Sequence, residues 1–397
     1  MAEKKNNNIL RNFNPSETRG KIITCKAAVV YGPEEAFKIE EVEVHPPQKM
    51  EVRIKILFTS ICHSDVDAWK AQPESRRAFY PRIFGHEASG IVESVGEGVN
   101  DVREGDYVVP IFQAECGECK LCTCEKTNTC ESVSYTNTVM LSDGKSRFYT
   151  TDAKPIFHFL NTSTFSEYTV VHSACVVKLP SVADDTRILK RLTLLSCGVT
   201  TGVGAAWNVA NVHSGSTVAI FGLGSVGLAV AEGARARGAS KIIGIDINPH
   251  KFIKAQAMGV TEFINPKDEE KPVYEKIREM SEGGVHYSFE CSGNSDVLRD
   301  AFLSSHEGWG LTVIVGIHLT PKTLPIHPME LFYGRRIVGS MFGGFKGKSQ
   351  LPHFAQQCLQ GVVKLDDFIT HELPFHDINE AFQLLIAGKS LRCILHL

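Results

Sequence analysis

The chain carries little net charge of either sign: 42 Lys and Arg against 45 Asp and Glu leave −3 at pH 7 over 397 residues. No broad basic field exists to hold a phosphate backbone, so composition gives nucleic-acid binding no support. Long apolar runs are also missing. The opening stretch MAEKKNNNILRNFNPSETRG is polar and has neither the apolar core of a secretory signal nor the length of a membrane span. No membrane partner is therefore expected, and residues 1–22 read as a flexible leader. Without a secretory signal, the twelve cysteines are expected as reduced thiols and metal ligands and not as a disulfide framework, which implies a cytoplasmic protein.

What the chain does have is cysteine in a pattern. Cys116-x2-Cys119-x2-Cys122-x7-Cys130 can turn four thiolates onto one tetrahedral zinc, the saturated arrangement of a structural site. The ferredoxin spacing would need its fourth cysteine at position 126, which is Lys126, so an iron–sulfur cluster fits poorly. Cys124 is a spare thiol. Cys62, His86 and Cys197 are far apart, but each lies among polar residues: Ile61-Cys62-His63-Ser64-Asp65, Gly85-His86-Glu87, and Ser196-Cys197-Gly198. Three such ligands would leave zinc one open position for chemistry. Taken singly, such a Cys or His is more often core filling than a ligand.

With 43% hydrophobic residues the chain can fill two cores. From about residue 23 it reads as short β-branched segments between Gly, Pro and charged turns, the texture of a β-rich domain. Near residue 199 it changes to strand, glycine loop, helix and strand, a βαβ unit that opens a doubly wound parallel sheet. The expected division is a first domain over 23–198 with a metal lobe at 113–131, a dinucleotide domain over 199–340, and a tail, 341–397, that rejoins the first domain. A cleft between two such domains would be a favoured ligand site.

Gly222-Leu223-Gly224-Ser225-Val226-Gly227 follows a strand and opens a helix, the G-x-G-x-x-G context in which glycines admit a tight turn and close approach of a pyrophosphate. The helix amino terminus adds free N–H donors. Asp246, about twenty residues on, is placed to hydrogen-bond the adenosine ribose and to repel a 2′-phosphate, which selects NAD over NADP. Lys251 reaches the same ribose or is an exposed helix lysine.

These features together resemble the zinc-dependent medium-chain alcohol dehydrogenase family, plant alcohol dehydrogenase-like group, over Ile23 to Leu397. Gly85-His86-Glu87-x2-Gly90-x5-Gly96-x2-Val99 fits its zinc signature, and the four-cysteine lobe and the glycine loop with Asp246 fit in order. The resemblance implies an α/β protein with a GroES-like β-rich catalytic domain and a Rossmann coenzyme domain. It makes Cys62, His86 and Cys197 the catalytic zinc ligands and Cys116, Cys119, Cys122 and Cys130 the structural ones, two zinc ions per chain with NAD as coenzyme. Ser64 would be the hydroxyl beside the metal, Asp65 the partner of the second His86 nitrogen, and Glu87 a group behind the zinc. His63, Thr201, Gly222, Gly224, Val226, Gly227, Asp246, Lys251 and Arg392 would meet the coenzyme, His63 and Arg392 at its pyrophosphate. Phe112 and Ser64 would line the substrate pocket.

One position departs from the family. Many animal members place a proton-relay histidine five residues after the first cysteine ligand, where this chain has Asp67. The segment 67–80, with Gln72, Glu74, Ser75, Arg76 and Arg77, would form part of the pocket rim. The expected activity is oxidation of a primary or secondary alcohol to its aldehyde or ketone with NAD, or the reverse. Alternatives are an S-hydroxymethylglutathione dehydrogenase using Arg76 and Arg77, a terpenoid alcohol or aldehyde oxidoreductase, and a catalytically silent NAD-binding protein. The family implies a homodimer, with the strand near Leu311 to Val315 as the expected contact.

Overall fold

A computed structural model describes residues 15–71, 78–134, 139–180, 185–319 and 322–397. The chain divides into two compact units: one takes everything up to Cys197 with Lys346–Gly361 and Leu365–Leu397, the other Gly198–Phe345 with Val362–Lys364.

The first unit begins with ten strands: β1 (Ile23–Val30), β2 (Lys38–Val44), β3 (Glu51–Ser60), β4 (Arg82–Ile83), β5 (Glu87–Val95), β6 (Tyr107–Pro110), β7 (Phe148–Thr150), β8 (Pro155–Ile156), β9 (Tyr168–His172) and β10 (Val176–Lys178). A short helix, α1 (His63–Trp69), leaves the end of β3. The second unit supplies β11 (Thr217–Phe221), α2 (Ser225–Ala236), β12 (Lys241–Ile245), β13 (Glu262–Ile264), β14 (Tyr287–Glu290), β15 (Leu311–Ile314), α3 (Pro328–Phe332) and β16 (Arg336–Gly339). The chain then returns to the first unit as α4 (Gly347–Leu359), β17 (Ile369–Pro374) and β18 (Arg392–His396).

In the first unit one sheet runs β4-β1-β2-β7-β8, and a second runs β10-β6-β5-β3-β18-β17 with β9 also on β3. β3 has partners on several sides, β5, β9 and β18, so nearly every one of its residues is buried. The returning tail thereby enters this sheet: Ile394 to His396 pair with Ser60 to Phe58. The consequence for the site is that the carboxyl end of β3, the start of β5 and the start of β18 lie side by side.

Residues 15–22, expected within a flexible leader, are anchored. Arg53 and Glu93 form a fully buried ion pair at 2.5 Å across β3 and β5. Arg53 also donates to the Thr18 carbonyl at 2.8 Å and the Lys21 carbonyl at 2.7 Å, and the Thr18 hydroxyl donates to Glu93. A buried guanidinium must place its donors, and this segment supplies acceptors. Residues 1–14 lie outside the described residues.

The second unit is a six-stranded, all-parallel sheet of order β13-β12-β11-β14-β15-β16. β11, TVAIF, is apolar and buried from Val218 onward, as a strand covered on both faces must be. The strand expected as a dimer contact, β15, is interior, flanked by β14 and β16; the open edge belongs to β16. The second unit also extends to Phe345 and not to 340: Phe342 is buried and the Gly343 carbonyl accepts the Asn208 amide at 3.1 Å.

Candidate functional site

Cys62 caps the amino terminus of α1 in extended conformation, φ −118° and ψ 159°. Asp65, one turn inside, accepts the Cys62 N–H on Oδ2 at 2.9 Å. Its other oxygen accepts the Gly85 N–H at 3.1 Å and meets His86 Nδ1 at 3.1 Å. An ionised carboxylate only accepts, so Nδ1 carries the hydrogen and Nε2 presents its lone pair. That Nε2 atom is buried with no hydrogen-bond partner among the described residues. Burial of such a lone pair is costly unless something takes it.

The taker is defined by the neighbours. Ligand atoms of Cys62, His86, Glu87 and Cys197 all lie within 4.8 Å of one another, and all four residues are buried. Cys197 reaches the group because Ser196 is tied to the Ala88 N–H and carbonyl of β5 at 3.1 Å. Glu87, fully buried, is held by Arg392 Nε and Nη2, each at 2.8 Å. The structure places the expected pyrophosphate contact Arg392 here: it is 2% exposed, its Nη1 donates to the Leu391 carbonyl, and Nη2 also stands 3.4 Å from Cys62 Sγ.

The electrostatics suit a cation. A hydrogen bond from Cys197 draws the Cys62 thiol well below its ordinary value against burial, with Arg392 assisting, while the same bond and burial push Cys197 up. Burial disfavours a charged His86, but the Asp65 carboxylate overrides it. Burial raises Glu87 and Arg392 pulls it back. A divalent ion at this cluster would hold both cysteines as thiolates.

Around the imidazole stand two rings. Phe112 lies 6.1 Å from the His86 ring and Phe159 5.9 Å, both edge-on. Phe159 carries no motif, and nothing in its local pattern distinguishes it from other core aromatics. Ser64 Oγ is 4.0 Å from Cys62 Sγ and half-buried. His63 is exposed and Asp67 half-buried on the same helix. The expected rim residues Gln72, Glu74, Ser75, Arg76 and Arg77 lie outside the described residues.

Cys116, Cys119, Cys122 and Cys130 also converge, with sulfurs within 4.8 Å. Zinc–sulfur bonds of about 2.3 Å in a tetrahedron require sulfurs about 3.8 Å apart, and Cys116 and Cys122 stand at 3.8 Å. Backbone N–H groups of Cys119 and Cys122 point at the sulfurs of Cys116 and Cys119, at 3.3 and 3.4 Å. Such donors stabilise thiolate, and the bond from Cys122 is the largest cause lowering Cys119 to about 6. Cys124 is not part of this group.

In the second unit the glycine loop has the expected shape. Gly222 has φ +96°, and a Cβ on Gly227 would sit 1.9 Å from the Gly222 carbonyl oxygen, so helix and loop pack only with glycine there. Gly224 faces open space, Val226 lies in the first turn of α2, and Ser225 Oγ is buried with no partner among the described residues. Asp246 Oδ2 accepts the Leu223 N–H and pairs with Lys251, both at 2.8 Å, while Oδ1 accepts the Asn248 N–H at 2.9 Å. The bond to Leu223, which sequence spacing does not reveal, fixes the carboxylate beside the loop. Thr201 is half-exposed on the helix Gly198–Gly204. The residues fit a dinucleotide as they fit zinc: an amino-terminal cradle, an orphaned hydroxyl and a fixed acid.

Comparison with known proteins identifies the family of the chain. Residues 48–181 match a family model described as alcohol dehydrogenase GroES-like domain, and residues 225–359 one described as zinc-binding dehydrogenase. Alcohol dehydrogenase-like 3 of Arabidopsis thaliana is 65% identical over 392 residues, 96% of this chain and 98% of that one. Alcohol dehydrogenase class-3 of Pisum sativum is 53% identical over 380 residues, 95% and 99% of the two chains. Among solved structures, an alcohol dehydrogenase zinc-binding domain protein from Burkholderia ambifaria superposes with TM-score 0.86 at 30% identity, covering 95% of this chain and 100% of that one. Benzyl alcohol dehydrogenase from Acinetobacter calcoaceticus gives 0.83 at 26%, covering 94% and 99%.

Proposed function

The chain belongs to the zinc-dependent medium-chain alcohol dehydrogenase family, and on that premise we propose that it interconverts a primary or secondary alcohol with its aldehyde or ketone using NAD and two zinc ions. The observation that carries the reading is the buried Nε2 of His86, without a hydrogen-bond partner among the described residues and within 4.8 Å of two cysteine sulfurs. When bound, zinc supplies a Lewis acid for the substrate oxygen, and NAD accepts or returns the hydride.

The remaining roles fall to the chain. Cys62, His86 and Cys197 hold the catalytic ion, and Asp65 keeps the imidazole in the tautomer that can bind it. Glu87 and Arg392 form a charged layer behind the ligands. Ser64 takes the substrate hydroxyl proton, which leaves by Asp67, the coenzyme ribose and solvent. Phe112, with Phe159, gives the substrate an apolar wall. Cys116, Cys119, Cys122 and Cys130 hold the second ion as a brace. Gly222, Gly224, Val226 and Gly227 receive the pyrophosphate at the start of α2, joined by His63; Thr201 and Lys251 contact the coenzyme, and Asp246 selects NAD by its ribose.

A homodimer is part of this proposal, joined through the open edge of β16. Beside that edge Phe332 is 77% exposed and Tyr333 58%, an apolar surface a second copy would cover. A cytoplasmic location rests on the twelve free thiols; no single helix among the described residues is long and apolar enough to cross a membrane.

The test is NADH formation with alcohols from ethanol through long-chain and terpenoid members, and with S-hydroxymethylglutathione, before and after zinc removal. Zinc-dependent turnover on any alcohol supports the reading and ranks the substrate classes. Turnover with S-hydroxymethylglutathione alone moves the assignment to that substrate. No turnover by zinc-loaded protein that binds NAD favours the silent reading.

A further inference from the structure

β14 and β15 end in loops that are sewn together by one carboxylate. Glu290, the last residue of β14, is fully buried. Its Oε1 accepts the Ser292 N–H at 2.6 Å, the Ser292 hydroxyl at 2.5 Å and the Gly293 N–H at 2.8 Å, which shapes the loop after β14. Its Oε2 meets His318 Nε2 at 3.0 Å, from the loop after β15. The Glu290 carbonyl accepts the N–H groups of Val315 and Gly316, both at 2.9 Å. The two loops touch so closely that a Cβ on Gly316 would lie 2.3 Å from the Gly293 nitrogen and 2.6 Å from Glu290 Oε2.

The strand order says what lies above these loops. The sheet reverses between β11 and β14, and a dinucleotide binds outside the carboxyl ends of strands at such a reversal. Asp246 ends β12 on one side and the glycine loop follows β11, so a coenzyme anchored at both must continue over β14 and β15. Strands are about 4.8 Å apart, which puts β15 about 10 Å from β11. The half beyond the pyrophosphate, the nicotinamide nucleotide, falls there.

Resting on the NAD reading above, we infer that His318 is a positioning residue for the nicotinamide half of the coenzyme, acting through Glu290 to hold the loops after β14 and β15 as one floor. The imidazole is only 21% exposed and its carboxylate partner not at all. A carboxylate only accepts, so Nε2–H is the donor and the bond needs no charge on the ring. Without it, Glu290 keeps its grip on residues 292 and 293 but loses its side-chain hold on 318, so the defect is confined to the loop after β15.

Binding of two ligands by the zinc-loaded enzyme tests this. NADH reaches both halves of the site, whereas ADP ends at the pyrophosphate. In His318→Ala the NADH dissociation constant is expected to rise about 5- to 10-fold with ADP binding unchanged, and KM for NAD to rise more than kcat falls. His318→Gln, whose amide can donate from a similar place, should stay within about 2-fold of the parent, while the shorter His318→Asn should behave as the alanine variant, giving a second variant if alanine does not fold. Equal weakening of both ligands, or unchanged NADH binding in the alanine and asparagine variants, overturns the inference while leaving the NAD reading intact. A parent enzyme that binds neither ligand overturns both.

Discussion

Arg392 Nη2 stands 3.4 Å from Cys62 Sγ across 330 residues of sequence, while Nε and Nη2 hold Glu87. The carboxyl-terminal strand thus closes the metal site that α1 and β5 open.

Removing that guanidinium leaves a buried carboxylate beside two cysteine sulfurs. Breaking a buried pair by removing one partner typically costs about 3–5 kcal/mol. Arg392→Ala should lower the melting temperature of the zinc-loaded protein and speed loss of the catalytic ion to a chelator. Retention of both would show that Glu87 is held by something other than Arg392.

Asp65 holds two of the proposed ligands without being one, the His86 ring through Oδ1 and the Cys62 N–H through Oδ2. Asp65→Ala should weaken zinc binding at this site about 10- to 100-fold, as loss of such partners generally does, with the four-cysteine site unaffected. Zinc content after graded chelation separates the two: one ion should leave early and the other at its ordinary point.

Asp246 holds Leu223, Asn248 and Lys251 and is proposed to hold the coenzyme ribose. Asp246→Ser should reduce kcat/KM for NAD about 10- to 100-fold, the worth of one or two charge-assisted hydrogen bonds, and reduce it less for NADP. An unchanged ratio between the coenzymes would remove Asp246 from the selection.

His158 is fully buried, accepts the Arg147 N–H on Nε2 at 3.1 Å, and is lowered to about 3 by burial and then by Arg147 and Arg82. The unfolded chain takes up this proton near pH 6.5 and the folded chain only near 3. The contribution of this group is therefore complete above pH 6.5 and is lost as pH falls toward 3, at up to about 1.4 kcal/mol per unit. His158→Gln can keep the acceptor without the titration. The fall in melting temperature from pH 7 to 5.5 should be smaller in that variant; an equal fall assigns the acid sensitivity to other groups.

Asp67 stands where the resemblance implies a relay histidine, so the pH profile of kcat should lack a histidine-like step from this position. Asp67→Ala should slow proton exit and lower kcat. A pH profile and rate matching the parent would mean that Asp67 takes no part.

Short-range chemistry was legible and long-range closure was not. Two-residue spacings between cysteines encode a local loop, so the four-cysteine site could be read directly, as could the glycine loop from its place between strand and helix. Cys62, His86 and Cys197 became a set only by resemblance, because β3 and β5 meet through sheet pairing and the segment after Thr193 is tied to β5 by the Ser196 hydroxyl. The contact of Arg392 with Cys62 likewise depends on the pairing of β18 with β3, and Phe159 reaches the His86 ring from a segment outside any strand. Strand order in the second unit reverses without a local signal, so the interior place of β15, the expected dimer contact, and the edge place of β16 were not legible. The polar composition of residues 15–22 concealed that carbonyls, which every residue has, are what Arg53 requires there.

That last contact sets a practical limit on shortening or tagging the protein. A fusion junction or protease site belongs ahead of Pro15. Trimming past Thr18 would take away an acceptor 2.8 Å from a guanidinium that solvent does not reach, exposing a seam between β3 and β5. Such a product could carry both metal sites in full and still be the form most easily lost to aggregation during purification.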